Sequence, residues 1–296
     1  MIKPVWSNSR RMGFAAENPE IVSAGVDWIT LVGDTETRIN GMVSLASQLV
    51  SLAMQRGYQR KGWGMAGYTG FQSLGVQYGV RGPSALVRLS GDVAQLHWTS
   101  FVPLSTNCTR VDLQLTVKTT SSPSDVVQSE YRRAKRHSLK LKKGPAVTIV
   151  HCTTGGDTCY LGKRQSNVYG RIYDKFAESK DERFKGTVRY EVEYKGHLAK
   201  RIVADLDHSK SSTARAVSRV HRFFSDRGCP LPITTPLPTH LGVPRYRSDH
   251  ARALRWLSEQ VRPTVQRLIE SGHQLEVVES LGMLEWILSG MGQLDQ

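Results

Sequence analysis

A tyrosine stands between two cations in the stretch SNVYGRIYDKFAES, residues 166 to 179. Read as a short strand, it points Arg171, Tyr173 and Lys175 to one face and Gly170, Ile172 and Asp174 to the other. Long cationic stems packed over a phenol would account for the pattern by burial alone. A second reading is chemical: the cations hold a phosphate and the phenol attacks it. A phenol with a pKa near ~10 needs a base or a metal to become a nucleophile. Carboxylates that gather a divalent cation would help by polarising the phosphate and steadying the leaving oxygen. Three acids lie on other strand-like segments: Asp112 within TRVDLQLTV, and Glu191 and Glu193 within VRYEVEYKG. The two glutamates share one face, opposite Tyr190, Val192 and Tyr194. Ion pairing with Arg110, Arg171 or Arg189 is the structural alternative, since acids on buried strands need partners.

Other phosphodiester chemistries are excluded by motif. No histidine has a second histidine two residues on or an arginine three residues on, and no GxxxxGK[ST] is present. The four cysteines, Cys108, Cys152, Cys159 and Cys229, form no CxxC pair and no zinc spacing. The bulk properties agree with a polyanionic partner. The 296 residues carry 40 Lys and Arg against 26 Asp and Glu, a formal charge of +14, which points to nucleic acid before a membrane surface. No apolar run approaches the ~18 residues of a membrane helix. The opening MIKPVWSNSRRMGF lacks a signal-peptide core, so a reducing cytoplasm is the expected compartment.

The elements that would position these residues follow from periodicity. Residues 1 to 24 form an N-terminal arm, and GVDWITLVGD reads as a strand ending at a helix-capping Asp34. Ile39, Met42, Val43, Ala46, Leu49, Val50 and Ala53 make an amphipathic helix to about Arg56. Residues 61 to 98 read as a meander of short strands. A helix begins at Ser122, with Pro123 at its first position, and gathers Arg132, Arg133, Lys135, Arg136, Lys140, Lys142 and Lys143. That excess of cations exceeds what the helix dipole favours, and predicts phosphate contacts. Further strands lead to a helix around 209 to 226, then a Pro-rich linker (228 to 248) and a C-terminal helical region (249 to 296) with Trp256 and Trp286.

The halves also compare. YGVRGPSALVRLSGD over LGKRQSNVYGRIYDK matches Gly79 with Gly162, Arg81 with Arg164 and Arg88 with Arg171. TRVDLQL over VRYEVEY matches Arg110 with Arg189 and Asp112 with Glu191. The expected fold is therefore α+β and internally duplicated, with repeats of about 25 to 120 and 121 to 208 inside a domain of 25 to 227. Its antiparallel sheets carry helices on one face, like a saddle. In this alignment Tyr173 falls opposite Ser90.

GVDWITL, GYTGF, LVRLSG, TRVDLQLTV, CYLGKRQSNVYGRIYDKFAE, VRYEVEYKGHLA and ALRWLSEQVRPTVQRLIE together resemble the replication initiation factor (Rep_trans) family, over roughly residues 25 to 285. Its members start rolling-circle replication of plasmids, filamentous phages and conjugative elements. The resemblance implies that Tyr173 attacks a phosphodiester at the origin, leaving a 5′-phosphotyrosine link and a free 3′-OH primer. It implies Arg171 and Lys175 as phosphate-positioning partners and Mg²⁺ or Mn²⁺ held by acids. Asp112 and Glu191 are matched as ligands, with Glu193 as base. Lys163 and Arg164, in the GK-x-x-S segment, join Arg132, Arg133, Arg136 and Lys140 as expected DNA contacts. A homodimer follows, because finishing the circle needs a second strand transfer and Ser90 leaves this chain one suitable phenol. A host helicase is a further expected partner. A non-cutting origin-binding regulator and a mobilisation relaxase remain the alternative readings.

Overall fold

A computed structural model describes residues 20–152, 156–207 and 211–231, together with 265, 267, 268 and 270–272. The chain divides into units of residues 1–238 and 239–296. In the second, the described residues belong to a helical end where Ser271 Oγ donates to the Arg267 carbonyl at 2.9 Å. The expected C-terminal helices and residues 232–248 of the Pro-rich segment otherwise lie outside the described residues.

The first unit is α+β. Its elements run β1 (Ile21–Gly33), α1 (Glu36–Gln55), β2 (Lys61–Met65), β3 (Tyr68–Ser73), β4 (Val76–Arg81), β5 (Ser84–Ser90), α2 (Gly91–Phe101) and β6 (Asn107–Lys118). Then come α3 (Pro123–Leu139), β7 (Val147–Val150), β8 (Thr158–Leu161), β9 (Val168–Asp174), α4 (Lys175–Ser179), β10 (Thr187–Lys195), α5 (Gly196–Asp207) and α6 (Ser212–Ser225). The strands form one antiparallel sheet of ten, in the order β2-β3-β4-β5-β1-β6-β10-β9-β8-β7, rather than separate sheets.

This order contains the duplication, displaced by one strand from the alignment read in the sequence. Each half is a central strand, a helix, a meander whose last strand returns beside the first, and a second helix. The halves are β1-α1-β2-β3-β4-β5-α2 and β6-α3-β7-β8-β9-β10-α5, joined where β1 pairs with β6. The local signal is the glycine pair Gly91 and Gly196, each directly after the last strand of its half. Both glycines turn strand into helix at φ of +59° and +55°, where a side chain would be strained. With Gly91 over Gly196 and the strand registers followed outward, Tyr173 falls opposite Arg81 and Ser90 falls opposite Lys195. The repeats therefore begin at β1 and β6, near residues 21 and 107, and not at 25 and 121. β1 also takes in residues 21 to 24 of the expected N-terminal arm.

Three helices escaped the sequence reading: α2, α5 and the short α4, which ends the segment that read as the strand of Tyr173. α2 lies in what read as strand, yet Ala94, Trp98 and Phe101 have helical spacing and are buried. α5 follows β10 directly, burying Ala199, Ile202, Val203 and Leu206. Between Gly91 and Gly196 and the first buried residue of each helix there is no polar run to announce the change. α3 does start after Ser122 with Pro123 at its first turn, although the serine makes no side-chain cap. Instead Asp157 accepts from Ser124 Oγ (2.7 Å) and Gln128 Nε2 (3.0 Å), which ties the start of α3 to β8.

Strand alternation separates the sheet into two faces. Val111, Leu113, Leu115, Val188, Tyr190, Val192, Cys159, Leu161 and Ile172 point one way and are buried in one core with residues of α1, α2, α3, α5 and α6. Tyr190 meets Phe224 edge-on at 5.2 Å, and Phe224 meets Phe223 at 5.1 Å. The opposite face is polar and carries the site. Gly170 shows how tightly the covered face supports it: a β-carbon there would lie 2.2 Å from Phe223 Cε1. Gly170→Ala should therefore lower stability by ~1–3 kcal/mol through overpacking, in urea unfolding. Phe223→Leu should recover part of the loss in the double variant, and simple additivity would remove the contact from the account.

Candidate active site

Register aligns the polar side chains in rows across the open face. Tyr173 of β9 stands beside Arg189 of β10 and Thr116 of β6; Arg171 stands beside Glu191 and Gln114; Tyr169 stands beside Glu193 and Asp112, which faces Trp28 of β1. These residues alternate with core residues on the same strands, so the register that buries the core also fixes the site.

At its centre Tyr173, 6% exposed, donates its hydroxyl hydrogen to Glu191 Oε2 at 2.8 Å. Arg171 holds the other oxygen of Glu191. Burial pushes Glu191 upward, but the Arg171 guanidinium and the two hydrogen bonds outweigh it and hold the carboxyl below its usual range. The same burial, with the Glu191 charge beside it, drives the Tyr173 phenol well above its ordinary value. An ionised carboxylate is thus fixed against a protonated phenol. The Arg171 guanidinium carbon lies 5.7 Å and Lys175 Nζ 6.0 Å from the tyrosine ring centre. Lys175 is not on the strand as expected: β9 ends at Asp174, which caps α4, and Lys175 pairs with Glu178 at 2.6 Å.

A second cluster adjoins the first. Arg110 donates to Asp112 through Nε (2.9 Å) and Nη2 (2.6 Å), and its Nη2 is 2.8 Å from Glu193. Lys195 pairs with Glu193 at 2.7 Å. Burial, then the repulsion of Glu191 and Glu193, raises Asp112 to about 7 against the pull of Arg110. A third pair, absent from the sequence reading of the site, joins Arg189 to Asp27 at 2.7 Å, with Arg189 Nε donating to Thr116 Oγ1 at 2.9 Å. The repeat does not signal Asp27: on the strand registers the counterpart of Asp112 is Thr30.

Over these groups lies a cleft of about 370 Å³, lined by Asp27, Trp28, Arg171, Tyr173, Lys175 and Arg189 and roofed by α4 and the turn after it. Arg183 of that turn reaches Asp92 at the start of α2, at 3.1 Å. A phosphate entering the cleft meets Arg171, Lys175 and Arg189.

The expected DNA contacts fall into two groups. Lys163 and Arg164 are exposed in the β8–β9 turn, on the side of the sheet where Lys195 Nζ donates to the Arg164 carbonyl. Arg132, Arg133 and Arg136 belong to α3 and Lys140 follows its last turn; the helix packs on the covered face, opposite Tyr173. Arg132, Arg136 and Lys140 are exposed there, while Arg133 pairs with Glu130 at 2.9 Å.

No cluster of three His, Cys, Asp or Glu side chains among the described residues is gathered as a ready metal centre. The chemistry of the donors nevertheless fits a hard divalent cation: Asp112 and Glu193 are register partners, so two carboxylates meet on one face of the sheet. Arg110 supplies the positive charge between them in this arrangement.

A family model described as replication initiation factor matches residues 106–280. Among solved structures, a rolling circle replication initiator protein from Geobacillus stearothermophilus aligns at 16% identity and a TM-score of 0.49, over 68% of this chain and 84% of that one. No curated protein matches the chain.

The Asp112 environment makes stability depend on pH. Its folded value near 7 lies above that of a free aspartate, so the folded state keeps a proton the unfolded chain has lost. This contribution is fully present below about pH 4 and is lost as pH rises toward 7. Asp27, also raised by burial, adds to the same slope, whereas Glu191, held low, acts only in more acid solution. Urea midpoints of metal-free protein should fall from about pH 5 to pH 8. Asp112→Asn should flatten that fall, and an unchanged slope would remove Asp112 as its source.

Proposed function

Because the chain belongs to the replication initiation factor family, we propose that it starts rolling-circle replication by cutting one DNA strand with Tyr173 as the nucleophile. The observation that carries this reading is the hydrogen bond from Tyr173 to a Glu191 already held ionised by Arg171. Glu191 takes the phenolic proton as the Tyr173 oxygen bonds to phosphorus. The bond from phosphorus to the 3′ oxygen breaks, that oxygen picks up a proton to become the primer hydroxyl, and the 5′ phosphate stays on the tyrosine. Arg171, Lys175 and Arg189 neutralise and orient the phosphate in the cleft.

Asp112 and Glu193 would hold Mg²⁺ or Mn²⁺, with Arg110 released to the DNA, and such an ion would polarise the phosphate. The base role thus passes to Glu191 and the second ligand role to Glu193, the reverse of the assignment made from the sequence. The partner surfaces extend this scheme. The β8–β9 turn serves the cut strand, and α3 contacts duplex on the covered face. A second copy supplies the tyrosine for the closing transfer, because the repeat holds Arg81 where a second phenol would stand. A host helicase then extends the opening.

Single-stranded oligonucleotides spanning the origin, incubated with Mg²⁺ or Mn²⁺, should give a covalent protein–DNA band and a free 3′ fragment. Tyr173→Phe should abolish both while leaving binding within about twofold, since only a hydroxyl is lost. Glu191→Gln should slow adduct formation roughly 10²- to 10⁴-fold, the usual range for a lost general base. A wild-type rate in Glu191→Gln would eliminate the base role, and full cleavage in chelator would eliminate the metal.

Neutralising Arg132, Arg136 and Lys140 together should leave cutting of a short single strand unchanged. The same change should reduce the salt slope of duplex binding by ~0.9 per lost phosphate contact. An unaltered slope would show that α3 is only a solvated face.

A further inference from the structure

The open face carries an aromatic pair that the cutting chemistry does not use. Tyr160 of β8 and Tyr169 of β9 are diagonal neighbours on the same face as Arg171 and Tyr173, with ring centres 5.7 Å apart and planes 15° from parallel. Both are half-buried. Stem-deep packing would put such rings on the covered side with Tyr190 and Phe224. Here they lie on the face of the acids and arginines, beside the exposed Lys163 and Arg164 of the β8–β9 turn. Gly162 makes that turn at a φ of +97°, and Lys195 Nζ, which also pairs with Glu193, fixes it through the Arg164 carbonyl. Tyr169 is four residues from Tyr173 along one strand, about 13 Å at the usual rise.

We propose that the Tyr160–Tyr169 pair is a stacking site for a base of the single strand that Tyr173 cuts, with Lys163 and Arg164 meeting the phosphates beside it. The proposal rests on the strand-cutting reading and adds the place where the strand is gripped. Flat aromatic faces flanked by cations are what unpaired bases and their backbone require, and stacking serves any base. Duplex does not suit the pair, because its bases are already stacked on one another. The distance places the gripped base no more than about four nucleotides from the cut phosphate, at ~3.4 Å per stacked step. The grip would hold the strand on one side while the cleft holds the phosphate.

The test uses full-length Tyr173→Phe protein, so that no cleavage intervenes, and a short oligothymidylate carrying one 2-aminopurine. Binding is followed by anisotropy and stacking by quenching of the 2-aminopurine fluorescence. The intact pair should quench the probe, and Tyr160→Phe and Tyr169→Phe should quench it equally. Tyr169→Leu should lose the quenching and weaken binding roughly fivefold to a hundredfold. Tyr160→Thr, on a β-compatible residue of the neighbouring strand, should do the same and stands in if the leucine variant does not fold. An oligonucleotide bound with wild-type affinity and unchanged fluorescence by both variants overturns the stacking site while leaving the cutting reading intact. Failure of the protein to bind any single strand overturns both.

Discussion

A carboxylate that is 1% exposed in the middle of a sheet stays ionised only if cations and donors replace the water it has lost. Glu191 is that group, and the arrangement of the open face follows from meeting its requirement. Arg171 neutralises one side, and the Tyr173 hydroxyl satisfies the other. Because both partners sit on β9, the β9–β10 register cannot slip without breaking them. The same pattern recurs nearby with Arg110 across Asp112 and Glu193, and Arg189 on Asp27. Each buried or half-buried acid of this face is thus met by a cation.

The duplication explains how one chain obtained such a face. Each half covers one side of its strands with helices and leaves the other side open. Joining the halves through β1 and β6 puts the two central strands, with Asp27 and Asp112, side by side. The halves then diverge. Where the second has Glu193 the first has Arg88, which lies over Trp28 at 5.1 Å, and where the second has Tyr173 the first has Arg81. One half has become acidic and phenolic, the other cationic. Both halves use the same backbone plan.

The residues that alternate cleanly were legible in the sequence. Arg171 and Tyr173 on one face, Glu191 and Glu193 on one face, and Asp112 on a buried strand all follow from period-two geometry, and the one-sided α+β plan follows from adding the helices. What failed did so for identifiable reasons. α2 and α5 begin at glycines with positive φ directly after a strand, so no loop composition marks them. Lys175 looked like a strand residue because nothing before Asp174 signals that Asp174 caps a helix. The repeat was displaced because arginines recur on several strands, whereas the Gly-to-helix correspondence carries the register the strands follow. Which glutamate touches the tyrosine depends on cross-strand pairing, and no spacing within β10 could decide it.

The central claim is that one particular phenol forms the bond to DNA. Trypsin offers a direct reading, because Arg171 and Lys175 isolate Tyr173 in a peptide of residues 172 to 175, apart from Tyr169 in 165 to 171 and Tyr160 in 144 to 163. The covalent complex formed on origin DNA should be digested with nuclease and trypsin and its phosphorylated peptide identified by mass spectrometry. The account predicts a nucleotide remnant on the peptide 172 to 175. A remnant on the peptide holding Tyr169 or Tyr160, or on no tyrosine at all, would contradict it.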